Sequence, residues 1–362
     1  MSDIKKVFLI AGESSGDFHG ANLIRTIKSI EPQSTFMGHG GSLMESEGML
    51  LLEHINNLSI MGFTEVIKHL PRIRRIFIKT VRAIKRSKPD RIILIDYPGF
   101  NLKIAKSVFK LDIPVTYFIM PQVWAWKKSR INLIRKYVDQ PISIFQFEKE
   151  WFLENKLKVD YFGHPLLDQI HLDETSKSFF TRHSLTIEHP IILLLPGSRQ
   201  QEIKNHWPFF LTLTQLLRSE NPNLQFILGK ANIVKIPNIP KYIKIEENAR
   251  KAMVAATVAV SASGTATLEC AIESLPAIVC YKMSSTTWFI AKNLTKLKYS
   301  SIVNIIANKE ILPEFLQERM NAELILKKLR PLLNEHSIER KTMIGELQKI
   351  KLLLGEPGVY GR

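Results

Sequence analysis

The sequence contains few of the features that mark disulfide-rich, metal-binding or membrane-spanning proteins. Only two cysteines are present, Cys270 and Cys280, without a CxxC pair or a Cys/His cluster, which excludes a disulfide framework and argues against a zinc site. No uncharged apolar run reaches the ~18 residues that a membrane-spanning helix requires. The short polar N-terminus, Met1 to Lys6, leads directly into an apolar run, so we expect no signal peptide and a reducing, cytoplasmic compartment.

Acidic residues are scarce relative to basic ones. The 362 residues include 34 Asp and Glu against 50 Lys and Arg, which gives a formal net charge of +16. Such an excess indicates an anionic partner, which could be a nucleic acid, acidic lipid headgroups or a phosphorylated substrate. The hydrophobic fraction of 45% is that of a globular protein, and the length predicts about two domains.

Short apolar runs alternate with longer amphipathic segments along the chain. The apolar runs lack period-two alternation, which is typical of parallel strands buried on both faces. Together with the intervening helical segments they predict an α/β fold. A polar stretch over 166–189 separates two series of strands and marks the boundary between two halves. The predicted strands are 7–11, 91–96, 114–119 and 141–145 in the first series, and 191–195, 224–228, 258–261 and 277–281 in the second.

In the first half, a glycine-containing loop with two acids follows the first predicted strand. The loop spans residues 12–17 and opens a helix, at the end of the strand where ligands bind in doubly wound sheets. The carboxylates of Glu13 and Asp17 suit hydrogen bonds from sugar hydroxyls better than they suit a phosphate. The alternative is a tight turn in which Ser or Asp caps the helix.

Asp96 follows the next strand of this half and is the candidate catalytic residue. A carboxylate at this point can act as a general base that takes a proton from an attacking hydroxyl. The alternative is that Asp96 caps the following turn. Two tryptophans, Trp124 and Trp126, follow a further strand and either stack on a sugar or pack between elements.

The second half carries two loops suited to a phosphorylated ligand. Arg199 follows a strand and precedes a helix, where its guanidinium can form paired hydrogen bonds with a diphosphate. Small residues at Ser263, Gly264 and Thr265 open a helix whose backbone N–H groups suit a phosphate. Glu269, one turn further on, could accept hydrogen bonds from a ribose. The alternative for both loops is an ordinary helix start with solvated side chains.

The basic charge is densest over residues 68–91, which hold ten Lys or Arg and one acid. The spacing predicts a basic amphipathic helix, preceded by an unusually apolar segment. This pattern is typical of a membrane-surface element, and equally of a core-packed helix with a solvated basic face; nucleic-acid binding is the least favoured reading because no nucleic-acid fold accompanies the charge. The apolar residues expected to contact a membrane are Phe63, Val66, Ile67, Ile73, Ile76 and Phe77.

Taken together, the motifs resemble the lipid-A-disaccharide synthases, a family of inverting glycosyltransferases of Gram-negative bacteria. Each motif alone is weakly specific, but their joint occurrence in this order is highly specific and covers most of the chain. The motifs are AGESSGD at 11–17, MGFTEV at 61–66, IDYPGFN at 95–101, PQVWAW at 121–126, FGHPL at 162–166, LLPGSRxxE at 194–202 and SGTATLE at 263–269.

The resemblance implies a GT-B architecture, in which two Rossmann-like domains with parallel sheets face a cleft and C-terminal helices pack back on the N-terminal domain. The implied boundaries are 1–167 for the acceptor- and membrane-facing domain, 168–335 for the UDP-sugar domain and 336–362 for the returning helix and tail. The implied reaction condenses UDP-2,3-diacylglucosamine with 2,3-diacylglucosamine 1-phosphate (lipid X). It yields the β-1,6-linked lipid A disaccharide 1-phosphate and UDP, with inversion and without a metal or other cofactor.

The resemblance also implies roles for individual residues and a location. Asp96 matches the general base; Gly99 replaces an acid that is usual in the family, so Asp96 is the only carboxylate of its motif. The chain would bind peripherally to the anionic inner face of the cytoplasmic membrane, without nucleic acid, and a homodimer is left open. The implied substrate-binding residues are Glu13, Ser15, Asp17, Arg199, Ser263, Gly264, Thr265, Glu269, Asn304, Gln317 and Glu318.

Two alternatives to this activity remain at this point. One is another GT-B transferase acting on a lipid-linked sugar, similar to the peptidoglycan N-acetylglucosaminyltransferase. The other is a non-enzymatic protein that uses its basic helix at a membrane surface. The donor sugar that the protein uses distinguishes the first alternative from the lipid A reaction. Release of UDP from a sugar nucleotide distinguishes the second alternative from an enzyme.

Overall fold

In a computed structural model of the chain, the described residues are 6–58, 63–169, 176–231, 234–284, 288 and 297–362, with the backbone alone described over 63–69 and at 176. The chain forms two compact units. The first comprises Met1–Gln169 together with Leu354–Arg362, and the second comprises Ile170–Leu353. Each unit is built on its own sheet.

The first unit has a seven-stranded parallel sheet of strand order β3-β2-β1-β4-β5-β6-β7. Helices connect the strands, as a parallel sheet requires. The strands are β1 (Lys6–Ala11), β2 (Thr35–Gly40), β3 (Leu50–His54), β4 (Arg91–Ile95), β5 (Val115–Phe118), β6 (Gln140–Ser143) and β7 (Asp160–Tyr161). The helices are α1 (Ser14–Ile30), α2 (Ser42–Ser46), α3 (Phe63–Ser87), α4 (Pro98–Val108), α5 (Ile131–Tyr137) and α6 (Gln146–Glu154).

Both faces of this sheet are buried, which explains the uninterrupted apolar runs. Along β1, Phe8 and Ile10 belong to one hydrophobic cluster, whereas Val7 and Leu9 belong to another. Successive side chains of a strand point to opposite faces, so the two clusters lie on opposite sides of the sheet. The predicted parallel α/β architecture is confirmed.

The second unit repeats this design with a six-stranded parallel sheet of order β10-β9-β8-β11-β12-β13. Its strands are β8 (Ile191–Leu195), β9 (Gln225–Gly229), β10 (Ile243–Glu246), β11 (Val258–Ser261), β12 (Ala277–Tyr281) and β13 (Glu314–Leu316). Its helices are α7 (Ser176–His183), α8 (Gln200–Glu220), α9 (Ala249–Ala255), α10 (Thr265–Ile272), α11 (Ile302–Ala307), α12 (Ala322–Leu333) and α13 (Ile338–Leu353).

Helix α3 turns toward the core the same face that was expected to meet a membrane. Ile76 is 4% exposed and belongs to a core cluster of the first unit, and Ile73 and Phe77 pack against the same cluster. Ile76 is therefore a core residue, which corrects the prediction that it contacts a membrane, whereas Ile73 and Phe77 are only partly buried against this core. Phe63, Val66 and Ile67 carry the same prediction, but their side chains lie outside the described residues. Among the helices described, none is long and apolar enough to cross a membrane.

The C-terminal segment divides between the two units. Helix α13 groups with the second unit, and only Leu354–Arg362 groups with the first. The sequence lacks periodicity over 355–362 and predicts disorder there, which the structure corrects. The Asp168 carboxylate accepts hydrogen bonds from the backbone N–H groups of Gly358, Val359 and Tyr360 at 2.6 to 3.2 Å. The segment Leu354–Arg362 is hereafter called the C-terminal clip.

Candidate active site

The two acids of the first unit follow neighbouring strands at the point where the strand order reverses. Strands β1 and β4 are paired in register, Ala11 against Ile95, so Glu13 and Asp96 leave the sheet side by side at its carboxyl edge. The chain turns away in opposite directions from these two strands, which opens a crevice at this edge. The predicted acceptor loop and the predicted base therefore share one location.

The backbone at this edge is strained. Asp96 and Tyr97 are consecutive residues with φ of 46° and 50°, and Ile119, at the end of β5, has φ of 58°. Residues other than glycine rarely adopt this left-handed conformation, and for a β-branched residue it is a clear outlier. Such strain persists only where the surrounding structure enforces it, and it is common at functional sites.

Three buried contacts hold the strained turn in place. The Asn101 side-chain amide donates to the backbone carbonyl of Asp96 at 2.6 Å, and the Tyr117 hydroxyl donates to the same carbonyl at 2.8 Å. The Tyr97 hydroxyl donates to the carbonyl of Leu58 at 3.1 Å. Its ring lies so close to Gly12 that a Cβ atom there would be 2.3 Å from the ring.

The pKa of the Asp96 carboxyl is raised. Burial, and after it the negative charge of Glu13, raise the pKa of Asp96 to about 6, although a hydrogen bond from the Tyr97 backbone N–H opposes both effects. A carboxylate that ionises near neutral pH combines basicity with a large ionised fraction. Perturbed acids in a crevice are also common at catalytic sites.

Asp96 opens onto a cavity of about 400 Å³ within the first unit. Its wall combines carboxyl groups, a guanidinium and an indole, which suits a polyhydroxylated, charged ligand. Glu148 is 1% exposed, and it accepts hydrogen bonds from Ser143 Oγ at 2.7 Å and Trp124 Nε1 at 2.8 Å. The lining residues include Asp96, Pro98, Gln122, Trp126, Arg130 and Glu148.

The acceptor loop contributes fewer ligand groups than the sequence predicts. Asp17 is 4% exposed, and its carboxylate accepts the backbone N–H groups of Gly41, Leu43 and Met44 at 2.7 to 3.1 Å. It therefore caps the start of α2, which corrects its assignment to substrate. Ser15 is exposed and Glu13 is half-buried, so both stay predicted substrate-binding residues.

The two predicted phosphate loops of the second unit also flank a reversal of strand order. Strands β8 and β11 are neighbours, and the loops at 196–199 and 262–264 follow them. Glu202, in the first turn of α8, accepts the backbone N–H groups of Ser198 at 2.9 Å and Arg199 at 3.2 Å. Because these donors are occupied, the exposed Arg199 side chain is the group of this loop suited to an anion.

The loop after β11 presents small, accessible residues. Gly264 and Thr265 are exposed, and Gly264 has φ of 155°. A Cβ atom at Gly264 would meet nothing within 4 Å, so space is open above this turn. Ser263 Oγ donates to the Ser300 carbonyl at 3.0 Å, which ties the loop to the segment before α11.

Asn304 belongs to the support beneath this loop. It is fully buried, its amide nitrogen donates to Leu312 O and Glu314 Oε1, and its amide oxygen accepts from two backbone N–H groups, all at 2.8 to 2.9 Å. Glu314 in turn accepts the backbone N–H groups of Ser300 and Ser301 at 2.8 Å. Asn304 therefore positions the loop through Glu314 and Ser300, which corrects its assignment as a substrate contact.

The three remaining residues that are predicted to bind the UDP-sugar differ in accessibility. Glu269 lies 3.4 Å from the Arg250 guanidinium, and burial raises the pKa of Glu269. Gln317 is 7% exposed and its amide faces the backbone of Met283 at 3.2 Å, whereas Glu318 is exposed. All three stay predictions as substrate contacts.

Sequence reasoning missed the residues that make the first site rigid. Asn101 and Tyr117 act on the Asp96 backbone, and Glu148 lines its cavity. Their positions at strand ends or on the first turns of α4 and α6 were the available signal. Among the residues described, no group of three His, Cys, Asp or Glu side chains is placed to hold a metal ion.

Comparison with known sequences gives one consistent family. The sequence model of the lipid-A-disaccharide synthetase family matches residues 7–356. Lipid-A-disaccharide synthase 1 of Legionella pneumophila strain Philadelphia 1 is 36% identical over 360 residues, covering 97% of this chain and 94% of that protein. The lipid-A-disaccharide synthase of Myxococcus xanthus is 33% identical over 370 residues, covering 100% of this chain and 96% of that protein.

Solved structures share the fold at low sequence identity. A putative UDP-N-acetylglucosamine 2-epimerase of Listeria monocytogenes has a TM-score of 0.65 at 12% identity and covers 98% of this chain and 93% of its own. A calicheamicin glycosyltransferase has a TM-score of 0.62 at 11% identity and covers 100% of this chain and 97% of its own. At these identities the likeness concerns the fold alone, and it agrees with the predicted GT-B architecture.

Proposed function

The chain belongs to the lipid-A-disaccharide synthetase family, and on that premise we propose that Asp96 is the general base of its sugar transfer. The activity is that of a glycosyltransferase of lipid A disaccharide synthesis, which condenses UDP-2,3-diacylglucosamine with 2,3-diacylglucosamine 1-phosphate and releases UDP. Neither the peptidoglycan-type transferase nor the non-enzymatic reading is favoured by the relatives found.

The observation that carries the assignment is the strained, half-buried turn at Asp96. A pKa of about 6 leaves the Asp96 carboxylate mostly ionised at neutral pH and still basic enough to accept a proton. In the proposed reaction Asp96 takes the proton of the acceptor 6-hydroxyl as its oxygen attacks the anomeric carbon from the face opposite UDP. The C–O bond to UDP breaks as the new C–O bond forms, so the configuration inverts.

The leaving group is proposed to be stabilised by the second unit. UDP departs with growing negative charge, which the Arg199 guanidinium and the backbone N–H groups at Ser263, Gly264 and Thr265 are suited to receive. Glu269 is proposed to accept the ribose hydroxyls. The accessible Gly264 turn and the exposed Arg199 side chain support this assignment.

The direct test is turnover by the purified chain. Incubation with UDP-2,3-diacylglucosamine and lipid X, without added divalent metal, is expected to yield the disaccharide 1-phosphate and UDP. Asp96→Asn is expected to lower kcat by about 10³-fold or more, the scale of a lost general base in a well-oriented site. UDP affinity should persist, measured by calorimetry, because Asp96 lies in the first unit; Asp90→Asn, a surface carboxylate of the same unit, is the control.

Two outcomes would contradict the proposal. Near-wild-type turnover by Asp96→Asn would remove Asp96 from the general-base role. Turnover with UDP-N-acetylglucosamine but not with the diacylated donor would favour the peptidoglycan-type reading.

We also propose that the outer face of α3 binds an anionic lipid surface. A groove of about 750 Å³ runs along this face. It combines exposed apolar groups, Leu70 at 58% and Ile78 at 40% exposure, with cations. Basic groups around an apolar strip are typical of helices that lie in a membrane interface. The cations of the groove are Arg74, Arg75, Lys79 and Arg82.

This surface supports peripheral attachment to the inner face of the cytoplasmic membrane, where the acylated substrates reside. It takes the place of the membrane contacts predicted at Ile76, which is buried in the core, and at Ile73 and Phe77, which are partly buried against that core. Homodimerisation stays a prediction without a described surface to support it.

A further inference from the structure

The cavity at Asp96 contains one cation whose function the general-base mechanism does not use. Arg130 is half-buried and lines the cavity together with Asp96. Both charges act on the Tyr117 hydroxyl: burial raises its pKa most, the Asp96 charge raises it further, and the Arg130 charge lowers it. Arg130 therefore lies close to Asp96, although the general-base mechanism gives it no role.

The Arg130 guanidinium is available to a ligand. Among the described residues it forms no ion pair with a carboxylate. Its contact is with the Trp126 indole, whose ring centroid lies 5.6 Å from the guanidinium carbon. Trp126 is 47% exposed and also lines the cavity, so a guanidinium and an aromatic face are presented together. The following residue, Ile131, is buried and begins α5, which fixes the backbone from which Arg130 extends.

The phosphate of the proposed acceptor is a suitable partner for the Arg130 guanidinium. A guanidinium pairs preferentially with phosphate oxygens through two parallel hydrogen bonds, and an exposed indole is suited to the apolar face of a sugar ring. The cavity also contains two carboxyl groups whose pKa values are raised by burial, Asp96 and Glu148.

Resting on the proposed function, we infer that Arg130 and Trp126 form the subsite that binds the anomeric phosphate and sugar ring of the acceptor. Arg130 binds the phosphate, Trp126 packs on the ring, and the 6-hydroxyl is thereby directed toward Asp96. Arg130 is then a specificity determinant that makes the enzyme select a phosphorylated acceptor over the free sugar.

The test compares acceptors with and without the phosphate. Wild-type protein is expected to lose about 10- to 100-fold in kcat/KM when 2,3-diacylglucosamine replaces its 1-phosphate, the range of one charge-assisted, bidentate contact. Arg130→Gln is expected to lose a similar factor on the phosphorylated acceptor and to discriminate between the two acceptors by less than about 3-fold. Arg130→Lys, which keeps the charge without the fork geometry, should fall between them.

Lys128 provides the matched control. It belongs to the same basic segment but lies over the Trp151 ring at 5.4 Å and does not line the cavity, so Lys128→Gln should discriminate as the wild-type protein does. Undiminished discrimination in Arg130→Gln, or equal loss of it in Lys128→Gln, would overturn the inference.

A binding measurement separates this inference from the proposed function. Calorimetry with glucosamine 1-phosphate and with glucosamine requires no turnover, and the wild-type protein should bind the phosphate ester more tightly in a manner that depends on Arg130. Arg130-dependent binding without transfer from any UDP-sugar would keep the subsite and reject the general-base assignment. Transfer without any effect of Arg130 on either measurement would do the reverse.

Discussion

Two aspartates that look alike in the sequence have opposite roles at the residue scale. Asp17 and Asp96 each lie at the start of a helix that follows a buried strand. The Asp17 carboxylate accepts hydrogen bonds from three backbone N–H groups at the start of α2, whereas Asp96 faces a cavity. Both readings, ligand and cap, could be predicted for each residue. Only the packing of α2 against α1, a tertiary contact, decides between them.

The ionisation of Asp96 gives a pH-dependent prediction. The base must be ionised to act, so kcat/KM of the wild-type protein should fall as the pH drops through about 6. The Glu13 carboxylate disfavours the ionised form of Asp96. Glu13→Gln removes that repulsion and lowers the pKa of Asp96, so the acidic limb of the pH profile should move to lower pH by about half a unit.

The control for this experiment is Glu45→Gln, an exposed acid on α2 of the same unit, which should leave the acidic limb unchanged. The profile is measured as kcat/KM because that ratio reports the free enzyme, so a change in acceptor affinity alone lowers the curve without displacing it. An acidic limb that stays in place, or that moves to higher pH, would show that Glu13 does not act on the catalytic ionisation.

At the element scale, α3 shows that a sequence pattern can predict a helix correctly and its buried face wrongly. The sequence predicts an amphipathic basic helix, and α3 spans Phe63–Ser87. Two apolar stripes are compatible with its spacing, however. Ile73, Ile76, Phe77 and Ile84 form the stripe that packs in the core, while Leu70 and Ile78 form a narrower stripe on the outer face. Periodicity identifies a stripe, but the sheet beneath the helix determines which one is buried.

The outer stripe gives the second prediction. Ile78→Glu places a negative charge within the groove of α3, between cations that would otherwise meet anionic lipid. Co-sedimentation with phosphatidylglycerol-containing vesicles should fall at least about 5-fold, and binding by the wild-type protein should weaken with added salt because each surface cation contributes only a modest, screened attraction. Circular dichroism should be unchanged because Ile78 is 40% exposed.

Leu153→Glu is the matched control, since Leu153 is a 66%-exposed apolar residue of α6 in the same unit and its replacement should not alter vesicle binding. Ile76→Glu should instead lower stability, because it buries an unpaired charge in the core. Vesicle binding by Ile78→Glu equal to that of the wild-type protein would exclude the outer face of α3 as the lipid-binding surface.

At the scale of the whole molecule, the two units share one architecture. In each, the strand order reverses beside the central strand that comes first in the chain, and candidate ligand loops leave the sheet at that reversal. Eight of the thirteen strands described and these loops could be predicted, because buried parallel strands and small-residue turns have local sequence signals, whereas β2, β3, β7, β10 and β13 were not predicted. Contacts between distant positions have none, so neither the support of Ser263 by Asn304 and Glu314 nor the binding of the C-terminal clip by Asp168 could be predicted.

The C-terminal clip gives the last prediction. It holds nine residues, Leu354–Arg362, that follow a helix of the second unit and belong to the first. Val359 is 5% exposed, and the Tyr360 hydroxyl lies 2.7 Å from Nδ1 of the half-buried His19 on α1. Asp168→Asn weakens three hydrogen bonds to the clip, at a cost of about 1 to 3 kcal/mol. Hydrogen exchange should therefore rise in α1 and the clip while β8 and β11 of the second unit stay protected.

Glu356→Gln, at an exposed acid of the clip itself, is the control and should leave exchange unchanged. Faster exchange in both units alike would mean that the clip stabilises the chain as a whole, whereas unchanged exchange in α1 would mean that the first unit is complete without it.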